Sequence, residues 1–221
     1  MKRTSFYRRK SLALPANMTY KEWYKQYVKG NLKAEAQEKA VKNAAKDLRQ
    51  FDAYQKVLGK DMPKHFADFQ EMKYNEPEKW EQLKALKQYL EKNPGNTKVD
   101  YEIGKTLKDS GIKGVPKVNP EKIDVSGYTY DTNHINAERA HMVSREEAES
   151  FIKKSDISLT RWNGRFINYY SKDGAAYVDV ENKNIRTAFS SKEFDENTLK
   201  IRKAVEKYAG RSHVSNTQKN D

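Results

Sequence analysis

Ser158-Leu159-Thr160-Arg161-Trp162-Asn163-Gly164-Arg165-Phe166-Ile167-Asn168-Tyr169-Tyr170-Ser171 decides the fold, because an Asn-Gly pair divides two runs rich in apolar and aromatic residues. Asn-Gly is the strongest short hairpin signal, since both turn positions want φ > 0 and few other residues take that conformation cheaply. Strands are therefore expected at 158–162 and 165–171. Working outward, 175–181 and 185–190 read as two further strands, joined through Lys172-Asp173-Gly174 and Asn182-Lys183-Asn184. Such short links can join only antiparallel neighbours, because a parallel crossover needs a dozen or more residues. The expectation is a four-stranded antiparallel meander.

Helical signals lie on either side. Ser144-Arg145-Glu146-Glu147 has capping-box spacing and opens a helix that buries Ala148, Phe151 and Ile152. Before it, His134, Glu138 and His141 fall at i, i+4 and i+7, so one helix would carry all three on a single face with Arg139 beside them. After the strands, Asp195 caps a last helix that packs back through Leu199, Ala204, Val205 and Tyr208 and ends at Gly210. Towards the N-terminus, Thr19-Tyr20-Lys21-Glu22 is another capping box. Tyr20, Trp23, Tyr24, Tyr27 and Val28 then make one apolar stripe that Gly30 can end. A second helix is expected from Ala34 to Leu58 through Ala40, Val41, Ala44, Leu48, Phe51 and Val57, and a short helical piece from His65 to Met72. Asn75-Glu76-Pro77-Glu78 starts another helix, buried through Trp80, Leu83, Leu86, Tyr89 and Leu90, and Pro94-Gly95 breaks it. Gly111, Gly114, Pro116, Pro120 and Gly127 interrupt any period, so the segment reads as a connector. The fold class is α+β: a helical basic module over 1–110, a connector over 111–133, and a domain over 134–221. That domain has two helices, a four-stranded antiparallel sheet and a C-terminal helix.

With 36% apolar and 33% charged residues, the chain can bury a core but must carry a thickly charged surface. No run approaches the roughly 18 apolar residues a membrane helix needs, so no membrane partner is expected. The basic stretch Met1 to Lys10 is followed by Leu12-Ala13-Leu14, too short for the apolar region of a secretory signal. Zero cysteines exclude a disulfide framework and thiolate metal sites, which suits a reducing compartment. The net charge of +12 favours a polyanionic partner. Its distribution is uneven: 1–50 has 13 Lys/Arg against 4 Asp/Glu, whereas 131–221 has 16 against 14. In the C-terminal domain, Arg139, Arg161, Arg165 and Arg186 must steer a nucleic acid locally. The N-terminal charge also has a plain reading as a solvated helical surface.

Cleaving RNA without a metal needs a base for the 2′-hydroxyl, an acid for the leaving oxygen, and positive charge where the phosphorane gathers negative charge. His134 and His141 can move protons near neutral pH, and Arg139 and Arg186 match phosphate. Tyr170 and Thr187 could hold the phosphate from the sheet. By default a helical histidine is a bystander, a strand threonine merely β-branched and a strand tyrosine a core aromatic; two histidines on one face beside an arginine are less ordinary. His134, Glu138 and His141 would also suit zinc or iron, but no further ligands complete such a site. No metal and no cofactor are expected.

The stretch from His134 to about Val205 resembles the phage-associated nuclease domains of the barnase, EndoU, colicin and RelE-like group, which carry helices followed by a four-stranded antiparallel sheet. The N-terminal region is similar to the C-terminal part of phage minor head proteins of the head-morphogenesis type. That likeness is carried by Ala13-Leu14-Pro15-Ala16-Asn17-Met18-Thr19-Tyr20-Lys21-Glu22-Trp23-Tyr24, by Tyr54-Gln55-Lys56-Val57-Leu58-Gly59 and by Phe66-Ala67-Asp68-Phe69-Gln70-Glu71-Met72-Lys73-Tyr74. The resemblance implies a phage or prophage protein, in the virion or the host cytoplasm, whose last domain is a toxin-like endoribonuclease. Its implied partners are RNA, portal or capsid proteins and an inhibitor protein. Its implied active-site positions are His134, Arg139, His141, Tyr170 and Thr187. The chain departs from a full minor head protein in lacking the large portal-proximal region. Two other functions stay open: a catalytically idle, head-associated structural protein, and a basic DNA-binding accessory to packaging.

Overall fold

A computed structural model of the chain describes residues 34–214 together with Thr19, Lys21, Glu22 and Lys25. It divides into two compact units, residues 1–95 and 96–221.

The first unit is helical, with α1 (Ala34–Leu58), α2 (Phe66–Asn75) and α3 (Pro77–Lys92). Gly59, at φ +51, takes the left-handed conformation that ends α1, and Pro77 opens α3 at a position whose N–H has no helical partner. Glu76, not Asn75, stands at the N-cap. The core is aromatic: Phe51, Tyr54, Phe66 and Phe69 are buried, and Phe69 meets Phe51 at 5.4 Å and Trp80 at 5.3 Å, both edge to face. Beside it Asp47 is buried yet satisfied, accepting from Lys73 Nζ at 2.6 Å, Tyr74 Oη at 2.8 Å and Gln70 Nε2 at 3.1 Å. The Thr19–Glu22 capping box is present, with the Thr19 amide donating to Glu22 at 2.9 Å. The stripe Tyr20, Trp23, Tyr24, Tyr27 and Val28 and its terminator Gly30 lie outside the described residues.

The second unit begins with α4 (Lys98–Asp109), an element the sequence reading does not single out. Its signal is Thr97-x-x-Asp100, a capping box in which Thr97 Oγ1 accepts the Asp100 amide and Asp100 accepts the Thr97 amide. The fully buried Asp100 also accepts the Val118 amide at 2.6 Å, tying the helix to the strand that follows.

Then come β1 (Val115–Val118), β2 (Thr129–Tyr130), a π-helical turn (Asn133–Glu138) and α5 (Arg145–Lys153). The rest is β3 (Ile157–Arg161), β4 (Phe166–Tyr170), β5 (Gly174–Asp179), β6 (Asn184–Ser190) and α6 (Glu196–Val214). Strands β3 to β6 are successive antiparallel neighbours, but they are only the middle of a mixed six-stranded sheet ordered β1-β3-β4-β5-β6-β2. The segment 111–133 is therefore not only a connector. It supplies β1, antiparallel to β3, and β2, parallel to β6. Pro116 is admissible in β1 because β1 is an edge strand. The loop between β3 and β4 is also longer than the expected two-residue turn: Arg161 pairs with Phe166, and Trp162, Asn163 and Gly164 all have positive φ.

Alternation along the strands feeds two cores. On one face, Ala148, Phe151 and Ile152 of α5, with Val143, cover Tyr169, Ala176, Val178, Ile185 and Ala188. On the other, Ile103 and Leu107 of α4 and Ile201, Ala204 and Val205 of α6 cover Ile157, Leu159, Tyr170 and Ala175. Each such fully buried aliphatic side chain stabilises by roughly 1.5–3 kcal/mol. Leu199, expected in that seam, is 47% exposed, and α6 continues past Gly210. Asp195 caps α6 as the sequence suggests, accepting from the Thr198 amide. Among the described residues no helix is long and apolar enough to cross a membrane.

Candidate functional site

The second face of the sheet is not covered along its whole length. Beyond the reach of α4 and α6, the same strands present Arg161, Phe166, Asn168, Tyr177, Arg186 and Thr187 to a cleft of about 890 Å³. His134, Arg139, His141 and Glu193 also line it, as do Trp162 and Arg165 from the β3–β4 loop and the carboxylates Asp179 and Asp195.

The two histidines reach it by different routes. His134 sits in the π-helical turn, where its amide donates to Asp131 Oδ1 at 2.9 Å and its Nδ1 lies 2.7 Å from Glu138 Oε2. His141 is not on that helix face. The turn ends at Glu138, and Ala140 (φ 56) and Met142 (φ 50) hold His141 between two left-handed residues. The fully buried Ile135 and the Val143 amide, which donates to Asn136 Oδ1 at 3.0 Å, anchor the two ends of this detour. A left-handed non-glycine costs roughly 1–2 kcal/mol, and such strain collects at functional sites. His141 Nδ1 then lies 2.9 Å from Glu193 Oε1, with its ring 5.6 Å from that of Phe189. Burial works against the Glu193 carboxylate, but hydrogen bonds to His141 and from the Ser190 amide outweigh it and hold its pKa below the ordinary value. Both imidazoles thus spend Nδ1 on a carboxylate, which fixes the ring and leaves Nε2 for other work.

Arg139, Arg161 and Arg186 have no carboxylate partner among the described residues, whereas Arg165 pairs with Asp179 at 3.3 Å and Glu181 at 3.0 Å. Arg186 owes its direction to a β-bulge. Tyr177 pairs with Thr187 but Val178 pairs with Ile185, so Arg186 is the extra residue. Its guanidinium stands over the Phe166 ring at 5.4 Å.

Of the five positions the sequence nominates, His134, Arg139, His141 and Thr187 line this cleft and Tyr170 does not. Tyr170 is buried beneath it, donating to Tyr177 Oη at 3.2 Å, and burial pushes its pKa far up. Tyr177 is the tyrosine that faces the cleft; alternation from Thr187 across the β5–β6 pair would have pointed to it. Glu193, which comes from the 3-10 turn Ser191–Glu193 after the sheet, gives no such periodic signal. Among the described residues, no three His, Cys, Asp or Glu side chains gather in a metal-holding arrangement. No family model matches the chain, and neither a curated protein nor a solved structure is found similar to it.

Proposed function

We propose that the sheet-bearing unit cleaves RNA by general acid–base catalysis, with His134 and His141 as the two proton-transferring groups. The observation that carries this reading is the pairing itself: two carboxylate-braced imidazoles on one cleft lined by three arginines without carboxylate partners. One imidazole takes the proton of the 2′-hydroxyl as that oxygen attacks the adjacent phosphorus. The bond from phosphorus to the 5′-oxygen breaks, and the other imidazole donates the proton that the leaving oxygen needs. The products are a 2′,3′-cyclic phosphate and a free 5′-hydroxyl. Arg139 and Arg186 match the non-bridging oxygens with paired N–H groups, and Thr187 offers a hydroxyl from the sheet floor. The resemblance in sequence adds a phage or prophage setting, with portal or capsid proteins and an inhibitor as partners.

The test is the full chain incubated with labelled RNA in EDTA, wild type beside His134→Ala and His141→Ala, with circular dichroism as the folding control. Loss of a general acid or base typically costs about 10² to 10⁴ in rate, so each variant should fold and nearly stop cutting. Wild type should show a bell-shaped rate against pH, each variant losing one limb. If folded wild type leaves every RNA uncut, or the His134 variant cuts as fast, the reading fails. An idle, head-associated protein then takes its place, or a DNA-binding packaging accessory if duplex DNA is what it binds.

A further inference from the structure

The groups that move protons and bind phosphate do not account for the most exposed feature of the same cleft. Trp162 is 71% exposed, at a position where the chain has already adopted a conformation unfavourable to it: φ is 51 at Trp162 and 53 at Asn163 before Gly164 completes the loop. A large apolar ring is normally withdrawn from water, and an unneeded left-handed tryptophan is normally replaced by glycine or asparagine. Instead the ring is propped up. It meets the Phe166 ring edge to face, at 5.5 Å between centroids and 79° between planes, and Phe166 in turn lies under the guanidiniums of Arg165, at 4.9 Å, and Arg186, at 5.4 Å. One such ring contact, at 71% exposure, leaves an indole face open to solvent, beside positive charge that a phosphate backbone would follow.

We infer that Trp162 is a nucleobase platform. An unpaired base of a single-stranded nucleic acid stacks on its face while the adjoining phosphates pass over Arg186 and Arg161. The inference rests on the RNA-cleaving reading of the cleft and adds which form of RNA enters it. A base in a duplex is already stacked on both sides and cannot lie on the indole, so unpaired segments are selected. Every base has a π-face, so the platform confers little sequence preference.

The probe is a fluorescein-labelled 2′-O-methyl oligouridylate of about eight nucleotides, within the usual site size for single strands and blocked at the attacking hydroxyl. Its affinity is read by anisotropy on the full chain. Trp162→Ala should weaken binding by about 5- to 150-fold, the range expected for losing one base–aromatic stack. Trp162→Tyr should restore most of the affinity, and a duplex of the same length should bind the wild type and both variants alike. Equal affinity of wild type and Trp162→Ala for the single strand overturns the platform, as does an equal loss on single strand and duplex. Indifference to nucleic acid altogether also overturns it and points to a protein as occupant. The strand cannot be cut, so the two readings fail separately. Cutting of ordinary RNA without Trp162-dependent binding removes the platform and spares the nuclease. Trp162-dependent binding without cutting removes the nuclease and spares a single-strand-binding face.

Discussion

Glu193 serves two masters at the residue scale. One oxygen accepts the Ser190 amide and so closes the turn after β6, while the other holds His141. The folded carboxylate titrates below the ordinary glutamate value of about 4.3. Its stabilisation is therefore fully present above that pH and is lost as pH falls through the lowered folded value. Glu193→Gln should accordingly flatten the acid limb of stability: between pH 6 and pH 3 its urea midpoint should fall less than that of wild type. Parallel falls in the two proteins would show that the carboxylate contributes nothing through ionisation. The same variant leaves His141 without an acceptor of fixed charge, so the proposed RNA cleavage should slow even where stability is unchanged.

At the scale of elements, the approach of α5 to the sheet depends on one missing side chain. A Cβ on Gly174 would stand 2.5 Å from the Phe151 ring and 2.6 Å from the Phe189 carbonyl oxygen, and backbone cannot move aside as a flexible chain end can. Gly174→Ala should destabilise by about 1–3 kcal/mol, the usual cost of overpacking, read as a lower urea midpoint. An unchanged midpoint would mean that α5 is free to slide. The hairpin links and the capping boxes at Ser144 and Thr97 were readable or recoverable from sequence because each is a local agreement between a few neighbouring residues. The strands β1 and β2 were not. One is four residues with a proline and the other only two, and both are strands solely because a distant neighbour pairs with them. The site divides in the same way. His134 with Glu138 shows in helical spacing, whereas His141 with Glu193 joins residues 52 apart through a strained turn that no period announces.

On the scale of the whole molecule, the two units differ in charge more than in size. Residues 1–95 hold 21 Lys/Arg against 12 Asp/Glu, and residues 96–221 hold 22 against 19. Most of the net positive charge thus lies outside the unit with the cleft. On the proposed reading, a fragment of residues 96–221 should fold, still cleave RNA, and bind it with a shallower dependence of log affinity on log salt, each lost phosphate contact removing about 0.7 from the slope. An identical slope would assign the helical unit's charge to solubility alone. The half-covered sheet has a further consequence, for how such a chain can change over generations. On the face covered by α4 and α6, one end of β3 to β6 is locked into a core where replacements are punished, while the other end presents several side chains to the cleft. The exposed positions 161 and 186 can drift at little cost to folding. A lineage built on this plan is free to exchange its preferences, or to abandon chemistry, while keeping the same silhouette.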